Sequence, residues 1–226
     1  LRAGRAVTLS VGTHVRLPRR YRGKDILHWM VNMGAFRAAA DPAGERESPP
    51  PQIVGSREIR DLDLDVLQRL GARLVGRTIA ASGTRVSFAA DLSESVEKAD
   101  DQMAQLLSKI DAYIAANGLE SVAEPEALRR VQVAEQPRQL CLREAGIKSI
   151  VWATGYQRRY PWLKLPVLDE RGEIRHRRGV TPEPGLYVLG MRFQATKGSN
   201  LIDGVGADAE EIADHLAARS HVRQAA

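Results

Sequence analysis

This sequence has little cysteine, little lysine and no long apolar run. Cys141 is the one cysteine among 226 residues, so these residues form no internal disulfide and contain no CxxC redox pair. A lone thiol suits a reducing compartment, and we expect a cytoplasmic protein. No apolar stretch approaches the ~20 residues of a membrane-spanning helix, so we expect no membrane partner.

Lysine is scarce although the chain is basic. Of the 33 lysines and arginines only six are lysines, and the net charge is +5. Excess arginine is consistent with a solvated surface, with an arginine-biased composition and with phosphate binding. A basic nucleic-acid-binding protein is a less favoured alternative, because the aromatic residues form no stacking array and the net charge is its only support.

The apolar pattern predicts a mixed α/β fold. Strands are expected over 6–11, 147–152 and 187–190, and a pair of strands with a turn at Ser82-Gly83 within 72–90. Helices are expected over 25–40, 64–70, 93–117 (capped by Ser93) and 207–219, with a further short helix opening at Pro125. Residues 41–55 read as a loop rich in proline, glycine and charge.

The first twelve residues are typical of the second half of a βαβ unit. Leu1-Arg2-Ala3 has the character of a helix end, Gly4 suits a C-cap, and the following run ends at Gly12. The first strand and glycine-rich turn of such a unit would precede residue 1. We therefore expect the chain to be a fragment of a longer protein with a missing N-terminal segment.

A basic loop follows the strand predicted over 6–11. In a dinucleotide-binding βαβ unit this position meets the adenosine ribose, where an acid suits NAD and arginine suits the 2′-phosphate of NADP. The loop THVRLPRR offers Arg16, Arg19 and Arg20 and no acid. A guanidinium matches phosphate in geometry and keeps its charge, so these arginines are candidate NADP ligands. A merely solvated loop is the alternative.

Two glycine-containing segments are further candidates. The run VWATGY takes an apolar stretch into Thr154, Gly155 and Tyr156, which would leave bare backbone for a cofactor or simply make a tight turn. Near the end, Gly204–Ala209 matches GxGxxA, but the 17 residues that follow leave no room for a dinucleotide-binding unit. The segment instead predicts a glycine-led helix N-terminus, which suits an anion or an electron-rich ring edge, or else an ordinary glycine turn before a surface helix.

These segments, taken in order, resemble the C-terminal half of the flavin-containing monooxygenase-like flavoproteins. That group includes Baeyer–Villiger monooxygenases and bacterial flavoproteins labelled as involved in potassium transport. The resemblance lies in VWATGY at 151–156, PWLKLPVLDERGEIRHRRGV at 161–180, PGLYVLGMRFQ at 184–194 and IDGVGADA at 202–209. AVTLSVGTHVRLPRR at 6–20 agrees with the segment that follows the NADP glycine loop in such proteins.

The resemblance implies a Rossmann-like fold with two dinucleotide-binding domains. Residues 1–150 would be a truncated NADP-binding domain with an unmatched helical middle, and residues 151–226 the closing part of the FAD-binding domain. FAD and NADP would be the cofactors. The arginines of the basic loop would bind NADP, Thr154–Tyr156 would lie near bound cofactor, and Asp203, Gly204, Val205 and Gly206 would place a helix N-terminus near the flavin.

The implied function is an FAD- and NADPH-dependent oxidoreductase of monooxygenase type that acts on a small organic substrate. Both glycine-rich phosphate loops of the family are absent from these residues, and Met191-Arg192 stands where many relatives carry an acid. No catalytic residue and no metal site is identifiable. An inactive remnant and a flavin reductase-like protein that transfers no oxygen therefore remain as alternatives.

Overall fold

The computed structural model of the protein describes residues 1–40, 53, 61–119 and 123–224, with side chains described up to residue 219. Two compact units make up the chain. Unit 1 comprises Leu1–Trp29 and Pro49–Val151, and unit 2 comprises Met30–Ser48 and Trp152–Ala226. Apart from residue 53, the loop expected over 41–55 lies outside the described residues.

Unit 1 begins with a parallel strand pair. Strand β1 (Thr8–Ser10) pairs with β4 (Arg73–Val75), with Leu9 opposite Leu74. The Ser10 hydroxyl donates to the carbonyl of Gly76 at 3.0 Å, which ties the end of β1 to the chain beyond β4. The strand expected over 6–11 is confirmed in its central three residues.

The basic loop after β1 ends in a small hairpin. Strands β2 (Arg20–Tyr21) and β3 (Lys24–Asp25) pair around a turn in which Arg22 and Gly23 both have positive φ, 48° and 72°. Backbone N–H groups of this turn donate to the Glu126 carboxylate at 2.6 and 3.1 Å. Helix α1 (Ile26–Asn32) follows directly.

Unit 1 also contains a three-stranded antiparallel sheet. Strands β5 (Thr78–Ser82), β6 (Arg85–Phe88) and β7 (Gln139–Cys141) lie in that order. The β5–β6 connection is a two-residue turn at Gly83-Thr84, and Gly83 takes the positive φ of 57° that tight hairpins require. The paired strands expected within 72–90 are confirmed, with the turn one residue later.

Helices α2 (Leu64–Arg69) and α3 (Leu92–Ala116) complete unit 1. Asp63 caps α2 by accepting the N–H of Val66 at 2.9 Å. The expected Ser93 cap of α3 is wrong, because Asp91 occupies the N-cap position and the Ser93 hydroxyl donates to the Glu97 carboxylate. Alternate three- and four-residue steps give α3 one buried stripe: Leu92, Val96, Ala99, Met103, Leu107, Ile110 and Ile114.

The apolar core of unit 1 joins the parallel strands to both helices. Leu74 of β4 packs in one cluster with Leu64 of α2 and with Leu92 and Val96 of α3, and Val131 closes the cluster from the following segment. The parallel strand pair, α2 and α3 therefore share one core, and this core fixes α3 along its first two turns.

The described residues of unit 2 comprise the long helix α4 (Val205–Gln224), the end of α1 from Met30, and segments that fold through turns and single β-bridges. Gly179 has a φ of +90°, and a Cβ there would lie 2.6 Å from the Ile212 side chain of α4. Only glycine fits this contact without strain. Ser199 is fully buried, and its Oγ accepts the N–H groups of Ala195 and Thr196 at 3.0 and 2.9 Å.

Several expected elements are wrong. The helix predicted over 25–40 ends at Asn32, because Gly34 turns the chain with a φ of +71°. Residues 187–190 make one bridge, between Tyr187 and Val180, and no strand. No helix opens at Pro125: the described residues from 123 to 138 have no regular structure.

The strand predicted over 147–152 does not form either. Ile150, Val151 and Trp152 are 55%, 87% and 73% exposed, and none of them pairs with another strand in the described parts of the chain. An apolar run becomes a strand only where a neighbouring strand accepts its hydrogen bonds. The sequence has the pattern of a buried strand, but no described strand lies beside it to accept its hydrogen bonds.

The mixture of helices and small sheets is compatible with the expected α/β class. The helix expected over 207–219 is confirmed and begins two residues earlier, at Val205. None of the helices that the structure describes is long and apolar enough to cross a membrane.

Gly76 offers a test of the packing in unit 1. A Cβ at this position would lie 2.1 Å from the backbone oxygen of Ala89, so Gly76→Ala must displace the chain before α3. We expect a loss of about 3 kcal/mol in the free energy of unfolding, measured by urea denaturation. The control is Gly83→Ala, where a Cβ meets nothing within 4 Å and the positive φ alone costs about 1 kcal/mol. Equal losses would contradict the close approach at Gly76.

Candidate functional site

The expected site residues are divided between the two units. Arg16, Arg19 and Arg20 lie in unit 1, whereas Thr154–Tyr156 and Asp203–Gly206 lie in unit 2. All of them are among the described residues, so their surroundings can be compared with the expected roles.

Arg16 is buried and fully engaged within unit 1. It is 4% exposed. Its Nε donates to Asp63 Oδ2 at 2.8 Å, one terminal nitrogen donates to Asp100 Oδ1 at 2.6 Å, and the other donates to the carbonyl of Arg129. The guanidinium thereby joins the basic loop to the N-cap of α2, to α3 and to the segment after α3.

The electrostatics of Arg16 follow from this arrangement. Burial disfavours the charged guanidinium, but hydrogen bonds and attraction from Asp100 and Asp63 outweigh burial and raise the pKa of Arg16 above its ordinary value. Two carboxylates already compensate its charge, and a 2′-phosphate would have to compete with both. The binding role of Arg16 stays a prediction, and a structural role is the one that its contacts support.

Arg19 and Arg20 are more accessible than Arg16. The Arg19 guanidinium pairs with Asp25 at 2.5 Å, and its side chain is 15% exposed. Arg20 is exposed and donates one hydrogen bond, to the carbonyl of Gly23 at 2.7 Å. Arg20 forms no ion pair in the described parts of the chain, although the Glu126 carboxylate lies near enough to feel its charge. It is therefore the candidate of the three whose charge is least compensated.

The hairpin that presents Arg20 is itself anchored. The hydroxyl of buried Tyr21 donates to Asp111 Oδ2 of α3 at 2.9 Å, and Arg22 pairs with the other carboxylate oxygen at 2.7 Å. Burial and the Asp111 carboxylate raise the pKa of Tyr21, although Arg22 opposes the shift. The hydroxyl therefore stays protonated and keeps donating.

Thr154, Gly155 and Tyr156 form an exposed turn. Gly155 has a φ of +85°, and a Cβ there would meet no atom within 4 Å. The glycine is thus required by backbone conformation and not by close packing within the described structure. Tyr156 is completely exposed. Whether cofactor lies against this turn stays a prediction.

The segment Asp203–Gly206 leads into α4 as expected. Gly204 packs tightly, since a Cβ would lie 2.1 Å from the backbone oxygen of Gly198, whereas Asp203 and Gly206 are exposed. The first N–H groups of a helix lack partners within the helix and carry its positive dipole end. The N-terminus of α4 can therefore accept an electron-rich group.

Sequence reasoning missed Asp208 in the first turn of α4. This residue is 3% exposed, and its Oδ2 is buried without a hydrogen-bond partner in the described structure. Nearby Arg178 donates to Glu211 at 2.5 and 2.7 Å; this hydrogen bond raises the pKa of Arg178 and lowers that of Glu211. The sequence shows an acid in the first turn of α4, but it does not show that this acid is buried.

A cavity of about 300 Å³ was also missed. It lies within unit 2 and is lined by Tyr156, Arg158, Arg171, Glu173, Arg192 and Phe193 among others. The sequence feature that could have indicated it is the high density of arginines in QRRY at 157–160 and DERGEIRHRR at 169–178. In the part of the chain that the structure describes, no group of three or more histidine, cysteine or acidic side chains is arranged to hold a metal ion.

The Arg16 network can be tested with two neighbouring aspartates of α3. Asp100→Asn removes the charge that faces Arg16, and we expect a loss of about 2 kcal/mol in the free energy of unfolding. Asp101→Asn is the control, because Asp101 is exposed and should change stability by less than about 0.5 kcal/mol. Urea denaturation measures both values, and a neutral Asp100→Asn variant would show that the network does not stabilise unit 1.

Comparison with known proteins finds partial matches to bacterial oxidoreductases. An uncharacterized CzcO-like oxidoreductase of Geobacillus kaustophilus is 48% identical over 71 residues, 31% of this chain and 20% of the relative. The uncharacterized oxidoreductase CzcO of Bacillus subtilis is 36% identical over 93 residues, 39% of this chain and 27% of the relative. CzcO of Bacillus velezensis is 44% identical over 71 residues, 31% of this chain and 21% of the relative.

No family model matches the chain, and no solved structure matches it significantly. The chain spans about a fifth to a quarter of the length of the curated relatives that it matches. The identities are nevertheless high for segments of this size. They show that segments of this chain are similar to segments of bacterial proteins named as oxidoreductases.

Proposed function

We propose that this chain is part of an FAD- and NADPH-dependent oxidoreductase of monooxygenase type. The observation that carries the proposal is the 36–48% identity with three bacterial oxidoreductases. The ordered series of segments that resembles monooxygenase-like flavoproteins gives the finer assignment of cofactors and reaction.

The residues of unit 2 are compatible with a flavin at the start of α4. Gly206 and Ala207 are exposed in the first turn, where free N–H groups and the positive end of the dipole would favour the electron-rich edge of the ring. Asp208 brings a buried oxygen that has no hydrogen-bond partner in the described structure. When bound, FAD would supply the transfer of electrons from NADPH to oxygen or substrate.

The residues of unit 1 fit NADPH in part. Arg20 offers an exposed guanidinium to the 2′-phosphate, Arg19 a partly covered one, and Arg16 would hold the loop in place through its carboxylate partners. In this proposal the role of the chain is to bind and orient the cofactors. None of the residues is assigned a proton-transfer step.

An additional polypeptide segment is part of this proposal. Ile150, Val151 and Trp152 form an exposed apolar run. Exposing apolar side chains to water costs free energy in proportion to their exposed area. A strand from another segment of the oxidoreductase would pair with this run and cover it. The greater length of the relatives is consistent with such a segment.

Absorbance spectroscopy tests the proposed function directly. The purified chain is mixed with FAD, separated from free cofactor, and then treated with NADPH without oxygen. We expect a retained flavin band that NADPH bleaches. A colourless protein that retains neither cofactor would contradict cofactor binding by these residues and favour the inactive remnant.

Re-oxidation separates the two enzymatic alternatives. If oxygen is admitted to the reduced protein together with a candidate organic substrate, a monooxygenase forms an oxygenated product. A flavin reductase-like protein consumes NADPH without forming that product. Retention of DNA instead of flavin, lost as salt rises, would favour the nucleic-acid-binding alternative.

Arg20 gives a cofactor-specific test. We expect Arg20→Ala to weaken NADPH binding by about tenfold and NADH binding by less than about twofold, because only NADPH carries the 2′-phosphate. Nicotinamide fluorescence titration measures both affinities. Arg69→Ala is the control, since Arg69 is an exposed arginine that pairs with Asp65 on α2. Equal losses for NADPH and NADH would contradict the 2′-phosphate assignment.

A further inference from the structure

The cavity of unit 2 carries an excess of positive charge. Three arginines line it, Arg158, Arg171 and Arg192, together with one acid, Glu173. Three positive charges against one negative charge leave a formal charge of +2, and the remaining lining residues are neutral when His176 is neutral. A concave surface of low dielectric strengthens the attraction of such charges for an anion.

The arginines differ in how far their charge is compensated. Arg158 lies 3.5 Å from Glu173 Oε2, and both side chains are partly exposed, at 45% and 32%. Arg171 has no carboxylate within ion-pair distance in the described residues, and only its backbone N–H makes a hydrogen bond, to Asp169. Arg171 is therefore the cation most available to a ligand.

The same cavity presents flat apolar surface. Phe193 and the fully exposed Tyr156 are among its lining residues, and Ile174, which is 6% exposed, contributes buried apolar surface. The Arg192 guanidinium lies over the Phe193 ring at 4.8 Å from its centroid. Aromatic rings and guanidinium planes both stack on planar ligands. A volume of about 300 Å³ is at the lower end of the range for small-molecule sites.

We propose that this cavity binds a phosphate monoester joined to a planar ring. A monoester carries a charge close to −2 at neutral pH, and its oxygens accept the paired N–H groups of arginine. The ring would lie against Tyr156 or Phe193. The inference goes beyond the proposed oxidoreductase function and does not depend on it, because its residues lie outside the expected cofactor sites except for Tyr156.

Calorimetric titration with phenyl phosphate tests the site in the absence of flavin and nicotinamide. We expect saturable binding with one site per chain, weakened as salt rises. Phenol and inorganic phosphate each supply half of the ligand, and each should bind at least about tenfold more weakly. Equal affinity for inorganic phosphate would overturn the role of the ring, and absence of phenyl phosphate binding would overturn the proposal.

Variants with opposite expected effects locate the site. Arg171→Ala should weaken phenyl phosphate binding by about tenfold. Arg177→Ala, an exposed arginine outside the cavity, is the matched control and should change it by less than about twofold. Glu173→Gln should tighten binding, because it frees the Arg158 guanidinium and removes a like charge.

A gain of affinity cannot arise from damage to the fold, so the glutamate variant remains informative if an arginine variant is unstable. Unchanged binding in Arg171→Ala, or equal loss in Arg177→Ala, would overturn the assignment. The result is also distinct from the flavin test: phenyl phosphate binding without retained FAD supports this site and contradicts only the proposed cofactor function.

Discussion

The arrangement of unit 1 depends on the ion pairs between the buried guanidinium of Arg16 and two carboxylates. The guanidinium makes charge-assisted hydrogen bonds to Asp63 at the start of α2 and to Asp100 in the third turn of α3. It also donates to a carbonyl after α3. A buried cation without partners would cost several kcal/mol, so these segments must meet in one arrangement. The neighbouring apolar core supplies the driving force, whereas the ion network selects the geometry.

Unit 2 is held together differently. Apart from α4 and the end of α1 its described residues form turns and single bridges, and its close contacts rely on glycine and buried serine. Gly179 admits the Ile212 side chain, Gly204 admits the backbone of Gly198, and Ser199 accepts two neighbouring N–H groups. Such packing fixes the start of α4 without a sheet. It also explains why glycine-rich sequence there need not indicate a phosphate loop.

The expected functional residues gain distinct physical roles from these surroundings. In the basic loop, Arg16 points inward to carboxylates while Arg20 remains exposed beyond an anchored hairpin. At the other end of the chain, Asp208 is buried in the first turn of α4 where the sequence showed only an ordinary acid. The apolar run at 150–152 is exposed, although its sequence is that of a buried strand.

The sequence by itself determined the elements whose cause is local. The 3.6-residue period of apolar side chains predicted α3, the pattern at 64–70 predicted α2, and the glycine turn predicted the β5–β6 hairpin. Tertiary structure alone decided which of three equivalent-looking arginines is buried and whether the apolar run at 147–152 becomes a strand. Both outcomes depend on groups outside the segment itself: Asp63 and Asp100 for Arg16, and a strand able to accept hydrogen bonds for the run at 147–152. Local periodicity carries no information about such groups.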